Sequence, residues 1–494
     1  MENKYYPTIG LEVHAELKTN TKMFCSCKNN PDEERPNVNI CPVCMAHPGT
    51  LPVINKKAIE NVIKVGLALD GKIADFTEFD RKNYFYPDIP KGFQISQYKY
   101  PIVSGGHLAD FDITRIHLEE DTANNKHRNF PETRFMGSSS KPGFGEEEGY
   151  SLIDFNRAGM PLMELVTEPM TFEDSENAAK GASSFAKELQ LISWYLGVSE
   201  ANMEKGEMRV EANISISREK NKLGTKVEVK NLNSFKSVEK AIKFELERMT
   251  KLLENNKGEE IVQETRGWDE SKQQTFSQRK KESSHDYRYF PEPDLPKMKL
   301  HEAFNLEEMK KNLPELPQAK RLRYKNNYGI KDEDIESYIN DFELGNYFEE
   351  IAKILVSPDK IKIASNYITS DYIGLKKIKT EARLPSVKNF AELMEMFYEN
   401  KISSRATKDI LAMIVVNDES PMKIAEEKGL LQKNDEGEVK IIVEKIIKEN
   451  PEVVVLYKSG KENVLMSLVG KVIKESNGSA NPQIVIKLLK ELLI

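Results

Sequence analysis

The stretch Thr8-Ile9-Gly10-Leu11-Glu12-Val13-His14-Ala15-Glu16-Leu17 alternates between apolar and polar positions without a break. Successive side chains on a strand point to opposite faces. Ile9, Leu11, Val13, Ala15 and Leu17 therefore share one face, and Gly10, Glu12, His14 and Glu16 the other. One face can pack on a core. The other presents carboxylates and an imidazole in a row, with Glu12 and His14 about 7 Å apart, close enough to converge on one ion. In isolation, the wet side of an antiparallel sheet would look the same. Recurrence of the pattern is what separates the two readings.

It recurs at 112–120, where Arg115, His117 and Glu119 oppose Ile116 and Leu118. Residues 151–156 offer Asp154 and Asn156, and 162–168 set Glu164 and Glu168 opposite Met163 and Leu165. In 208–216, Arg209, Glu211, Asn213 and Ser215 alternate with Met208, Val210, Ala212, Ile214 and Ile216, and 226–230 adds Glu228 and Lys230. Hard oxygen ligands suit magnesium, and magnesium usually arrives with nucleotide phosphates. Arg and Lys on the same surface neutralise those phosphates. The polar face is accordingly expected to be a metal–nucleotide site. The run Phe79-Asp80-Arg81-Lys82-Asn83-Tyr84-Phe85-Tyr86-Pro87-Asp88 mixes basic, aromatic and amide groups, suited to stacking a base and holding phosphates. A well-packed irregular connection would account for it too. A near-miss phosphate loop, Gly66 to Ile73, is rejected: Ile73 stands where a magnesium-binding hydroxyl belongs, and the preceding residues read as a helix.

All four cysteines fall between Cys25 and Cys44, as Cys25-Ser-Cys27, thirteen residues, then Cys41-Pro-Val-Cys44. Two short-spaced thiolate pairs can close a tetrahedral zinc site, and four sulfur ligands make that site structural. Disulfides are the weaker reading in a reducing cytosol. The cytoplasm is the expected location: no signal-peptide segment opens the chain, and no apolar run reaches the ~20 residues needed to span a bilayer. A net charge of −7 excludes a surface coated in positive charge for nonspecific nucleic-acid binding, although not a local basic patch.

The 494 residues suggest two to four domains. Helices are expected at 56–70, 173–196 and 236–253 from the spacing of their apolar residues. Residues 130–149, with three serines in a row and three consecutive glutamates, read as a surface loop. The prolines of 285–296 favour an extended crossing. Beyond 303 the chain turns to short amphipathic helices. Those near the C-terminus carry lysines at their turns, which fits contact with folded RNA and equally a protein-docking module.

These motifs together resemble the B subunit family of the tRNA-dependent amidotransferases. The matching stretches are Ile9-Gly-Leu-Glu-Val-His14, Asp80 to Asp88, His117-Leu-Glu-Glu-Asp121, Asp154-Phe-Asn-Arg-Ala-Gly159, Leu162-Met-Glu-Leu-Val166, Lys230-Asn-Leu-Asn-Ser-Phe235, Gln263-Glu-Thr-Arg266, His285 to Pro296, and Ser459-Gly-Lys461 with Ala480-Asn-Pro482. The resemblance implies an α+β chain: an antiparallel-sheet cradle similar in build to glutamine synthetase over 1–294, a helical domain over 295–402, and an all-helical, tRNA-binding tail over 403–494. It implies ATP- and magnesium-dependent phosphorylation of the side-chain carboxylate of misacylated Glu-tRNA(Gln) or Asp-tRNA(Asn). Ammonia from a partner glutaminase A subunit then displaces phosphate, with a small C subunit tying the two together. Carried over by motif, Glu12, His14, Glu164 and one or both of Glu119 and Glu120 are the implied catalytic and magnesium-binding residues. Strand parity sets Glu120 with Leu118, away from the rest, unless a bulge intervenes. Arg81, Lys82, Arg157, Arg209, Glu211 and Lys230 are the candidate nucleotide-binding set, and Cys25, Cys27, Cys41 and Cys44 the zinc set. Two departures stand out: the 130–149 insert is long for the family, and Arg209-Val-Glu-Ala-Asn213 lacks the family's cysteine. Two rival functions are a zinc-knuckle tRNA or protein adaptor without catalysis, and a stand-alone ligase acting on a small carboxylic acid.

Overall fold

A computed structural model describes residues 5–129, 149–220, 222–280, 287–432, 436–476 and 480–493. Residues 130–148 of the expected 130–149 loop, His285 and Asp286 of the proline-rich motif, and 477–479 of the tail lie outside the described residues. The chain divides into two compact units, Met1–Leu316 and Pro317–Ile494.

In the first unit the opening segment is strand β1 (Tyr6–Glu16). Its apolar residues are sealed: Ile9, Leu11, Val13 and Ala15 are buried while Glu12, His14 and Glu16 stay partly exposed. Around it stand β2 (Lys72–Ile73), β3 (Val103–Ser104), β4 (Phe111–Glu120), β5 (Pro161–Thr167), β6 (Met208–Ser217), β7 (Val227–Leu232), β8 (Glu264–Asp269) and β9 (Gln274–Lys280). Their spatial order is β9-β8-β7-β6-β1-β5-β4-β3-β2, which makes β1 the central strand. Every pairing is antiparallel except β7 with β8. The sheet is therefore mixed, not wholly antiparallel as expected. The reason is a helix between the two strands, which carries the chain back so that it re-enters in the same direction.

That helix is α3 (Phe235–Glu254), which with α1 (Lys56–Ala68) and α2 (Ser175–Tyr195) covers the apolar face. All three lie where the apolar spacing predicts. Side-chain caps set their starts: Asn55, Asp174 and Ser234 each accept a hydrogen bond from a backbone N–H of the first turn. The rejected phosphate loop has a packing explanation. Gly66 lies in α1 against Val103, and a Cβ there would fall 2.5 Å from a Val103 methyl.

Two expected strands behave differently. Residues 149–154 pair only with 124–129 in a separate ribbon, so Asp154 and Asn156 do not reach the sheet's polar face. Asp154 instead caps the backbone N–H of Asn37, and Asn156 those of Val38 and Asn39. A register shift between Val166 and Thr167 ends β5, and Glu168 turns away to accept a hydrogen bond from Thr114.

Residues on both sides of the expected 294/295 domain boundary lie in the first unit: Leu295, Leu300 and Phe304 are buried in its core and Leu306, Met309, Leu313 and Leu316 pack on it. The second unit is built of helices. One group buries Tyr324, Tyr338, Phe348, Phe390, Ile410 and Ile414. Residues 439–493 enclose a separate core of Val443, Leu468, Val469, Val472, Val485 and Leu489. Helix Ser404–Asn417, past the expected 402/403 boundary, packs on Val387–Tyr398 and belongs with the earlier group. Among the described residues, no helix is long and apolar enough to cross a membrane.

Candidate active site

The polar face of the central strands forms the floor of a cleft of about 400 Å³. Register dictates who meets whom. On one side of β1 His14 stands opposite Glu164, which in turn stands opposite His117 on β4; on the other side His14 faces Arg209 of β6. A single row thus crosses four strands as Arg209, His14, Glu164 and His117. One step along β1, Glu12 faces Glu211 of β6.

Two clusters result. His14 Nε2 lies 3.4 Å from Glu164 and 3.7 Å from Glu119, and His117 Nε2 lies 3.3 Å from Glu164. Arg115 approaches Glu164 at 3.8 Å. Ligand atoms of His14, Glu119 and Glu164 fall within 4.8 Å of one another, and so do those of Glu12, Glu211 and Glu228. Lys230 closes the second cluster, 2.8 Å from Glu211 and 3.5 Å from Glu228. The polar side of an ordinary sheet would be solvated, but Glu119, Glu164 and His117 are buried at 3%, 7% and 2% exposure. Groups this dry interact strongly. Burial alone would lower the His14 pKa; the Glu164 hydrogen bond and the charges of Glu164, Glu119 and Glu211 outweigh it and bring the pKa up to about 9. Burial likewise opposes ionisation of Glu164, and the two histidines reverse this and hold it well below the usual carboxylate range.

Behind the floor, Asp121 accepts a hydrogen bond from Arg209 at 2.9 Å and pairs with Arg157 at 3.5 Å. Burial raises the Asp121 carboxyl, and the two guanidiniums more than offset that. Burial and the Asp121 charge push Glu16 up to about 8 despite the same two guanidiniums.

The structure separates some residues that the sequence grouped. Glu120 takes the opposite side of β4 from Glu119: its carboxylate pairs with Lys91 and accepts a hydrogen bond from the Ile95 N–H at 2.9 Å. Arg81 forks onto Glu292 at 2.7 and 2.8 Å and stacks on Phe93. Both line a different cavity, beside Cys25 and Cys44. Arg157 donates to the carbonyls of Thr122 and Ala123. Lys82, Arg209, Glu211 and Lys230 do line the cleft. His117 and Glu228 sit on the predicted face yet stood outside the predicted ligand set. Asp121, one residue past β4, gave no periodic signal; its role depends on Arg209, eighty-eight residues away.

The four cysteine Sγ atoms also lie within 4.8 Å of one another, with Cys44 at 3.8 Å from Cys41 and 4.0 Å from Cys27. Tetrahedral zinc–sulfur bonds of ~2.3 Å would set sulfurs about 3.8 Å apart, so the cluster can hold a metal. A hydrogen bond from Cys25 holds the Cys44 thiol down at about 5, and the nearby Lys22 ammonium adds to this. Lys22 itself is fully buried and donates to the Phe155 carbonyl.

The first unit thus carries a two-cluster acidic floor rimmed by arginine and lysine, and the second unit is built of helices. The GatB/GatE catalytic domain matches residues 7–305, and the GatB domain matches 346–493. The chain belongs to the GatB/GatE family. It is 42% identical over 502 residues to the B subunit of the aspartyl/glutamyl-tRNA(Asn/Gln) amidotransferase of Persephonella marina, spanning 99% of this chain and 100% of that one. Identity to the protein of the same name from Thermotoga maritima is 42% over 503 residues, 99% of each. With that of Rippkaea orientalis it is 40% over 510 residues, covering 100% and 98%. The adaptor and stand-alone ligase alternatives find no support among these relatives.

Proposed function

We propose that this chain is the synthetic subunit of a tRNA-dependent amidotransferase, and that its cleft amidates the side chain of glutamate or aspartate misacylated onto tRNA. The observation that carries this is the pair of carboxylate clusters, built around buried Glu119, Glu164 and Glu228 and flanked by Arg209 and Lys230, in a chain 42% identical along its length to proteins named for the reaction.

A carboxylate is a poor electrophile. Its oxygen attacks the γ-phosphorus of ATP, the bond to the bridging oxygen breaks and ADP leaves, giving an acyl phosphate. Ammonia then attacks the acyl carbon, the bond to the phosphate oxygen breaks, and the nitrogen loses a proton as the amide and inorganic phosphate form. Glu12, His14, Glu119 and Glu164, with Glu211 and Glu228, offer hard oxygen and imidazole donors that fit magnesium, which when bound neutralises phosphate charge. Arg209, braced by Asp121, and Lys230, braced by Glu211, hold fixed positive charge beside the reacting oxygens; Lys82 extends it along the wall. Glu120, Arg81 and Arg157 support the surrounding loops through their own partners, Lys91, Glu292 and the Thr122 carbonyl.

No Ser-Lys amidase signature occurs in the sequence, so ammonia comes from a glutaminase A subunit, held with a small C subunit in one complex. The cradle, similar in build to glutamine synthetase, carries the chemistry, and the tail helices bind the tRNA body. The cysteine cluster holds structural zinc. The cytoplasm is where such a complex meets its substrates.

The test is transfer of the ATP γ-phosphate to Glu-tRNA(Gln), with ammonium supplied to bypass the glutaminase. Glu164→Gln and His14→Ala are expected to lose about a hundredfold or more in rate while tRNA binding persists. Amidation by either variant at the wild-type rate would overturn the assignment.

A further inference from the structure

One wall of the cleft has no part in the chemistry above. Tyr84, Tyr287, Tyr289 and Tyr98 line it as a chain of touching rings. Tyr84 meets Tyr287 edge-on at 6.1 Å, Tyr287 meets Tyr289 edge-on at 6.1 Å, and Tyr289 stacks on Tyr98 at 4.6 Å with 11° between the ring planes. Tyr84 and Tyr98 flank one pair of neighbouring strands, whereas Tyr287 and Tyr289 come from a segment about two hundred residues on. Strand Asp80–Asn83 pairs on one side with Phe93–Ser96 and on the other with Phe290–Pro291, and this ladder brings the tyrosines together. The Lys82 ammonium lies 5.2 Å from the Tyr287 ring centre.

Rings gathered only to fill a core would be buried. Tyr98 is 59% exposed although Tyr289 covers one of its faces. Most of the remaining lining consists of carboxylate, guanidinium, ammonium, imidazole and amide groups, which suit phosphates and a cation. One cleft thus combines a charged floor with a stack of flat π surfaces at its side. A nucleotide has the same two-part character.

We propose that the Tyr98–Tyr289 stack is a nucleobase platform, with an adenine lying on the outer face of Tyr98 and its phosphate-bearing end directed past Lys82 toward the acidic floor. The amidotransferase reading supplies two sources of that adenine: ATP and the terminal adenosine of the aminoacyl-tRNA. Stacking on an aromatic ring tolerates any base, so the platform contributes affinity, and selectivity among bases requires hydrogen bonds from elsewhere.

The experiment compares the full chain, assembled with its partner subunits, as wild type, Tyr98→Ala and Tyr98→Phe. Equilibrium binding of magnesium-ATP and of magnesium tripolyphosphate is measured, together with Michaelis constants for ATP and misacylated tRNA under ammonium. Loss of one stacking face is worth about five- to a hundredfold in affinity. Tyr98→Ala is expected to weaken ATP binding, or to raise the tRNA Michaelis constant, by that factor. Tripolyphosphate binding should stay constant and Tyr98→Phe should match wild type. A change confined to ATP identifies the nucleotide as the source, and one confined to tRNA identifies the terminal adenosine. Three unmoved constants would overturn the platform; so would an equal loss of tripolyphosphate binding, which marks the ring as merely structural. If Tyr98→Ala weakens ATP binding and the wild type fails to amidate tRNA, the platform stands and the proposed function falls.

Discussion

Glu119 and Glu120 are neighbours in sequence and strangers in environment: one is 3.7 Å from His14, the other is bonded to Lys91. Period-two geometry made this separation readable from the sequence, because adjacent strand residues take opposite faces. The expected outcome is that Glu119→Gln weakens divalent-metal binding to the chain at least tenfold, while Glu120→Gln leaves it within about twofold; manganese titration followed by paramagnetic resonance measures both. What the sequence could not supply was register. His117 was visible on the polar face, yet its contact with Glu164 exists only because β4 and β5 pair as they do. The same contacts predict a pH response. His14 has a folded pKa of about 9 against an ordinary value of 6.5, so between these the folded state binds the extra proton. The stabilisation is therefore complete below about 6.5 and disappears as pH rises through about 9. In chelator-treated protein, the denaturation midpoint of wild type relative to His14→Gln should fall across that window. A difference that grows with pH would refute the assignment.

At the scale of elements, local periodicity was a sound guide wherever one face of a segment was buried. Strands β1 and β6 and helices α1, α2 and α3 fall where the apolar spacing placed them. Residues 149–154 show the limit of that guide. An alternating segment announces a strand but not its partner, and this one joined a ribbon apart from the main sheet. The parallel β7–β8 pair was hidden for the same reason, since direction depends on what connects two strands. Close packing is equally invisible in sequence. Gly66 reads as half of a phosphate loop but serves to let α1 approach β3, where an added Cβ would lie 2.5 Å from Val103. Gly66→Ala should therefore cost about 1–3 kcal/mol by overpacking, despite alanine's better helix propensity, as read by urea denaturation of the chelated and metal-replete protein. An unchanged midpoint would mean that Val103 gives way freely.

For the whole molecule, the tail helices are the part whose removal is most informative. Residues 439–493 enclose their own core, whereas a cut at 403 would strip Ile410, Leu411 and Ile414 from helices that share a core with Phe390. Truncation after Gln432 should thus leave the remaining chain folded and raise the Michaelis constant for aminoacyl-tRNA about tenfold or more, with little change in glutamine hydrolysis by the complex. An unaltered constant would remove the tail from tRNA recognition. The central place of β1 has a consequence of another kind, in time. This strand spans Tyr6–Glu16, but its neighbours begin at Pro161 and Met208, so once made it waits for partners, the later of them nearly two hundred residues behind it. At about 5–20 residues per second the wait for the later partner is on the order of 10–40 s, with Ile9, Leu11 and Val13 not yet sealed and at least one strand edge open. A nascent chain interrupted in that interval holds the opening motif but none of the cleft, and an unpaired apolar strand invites association with its neighbours on the same messenger.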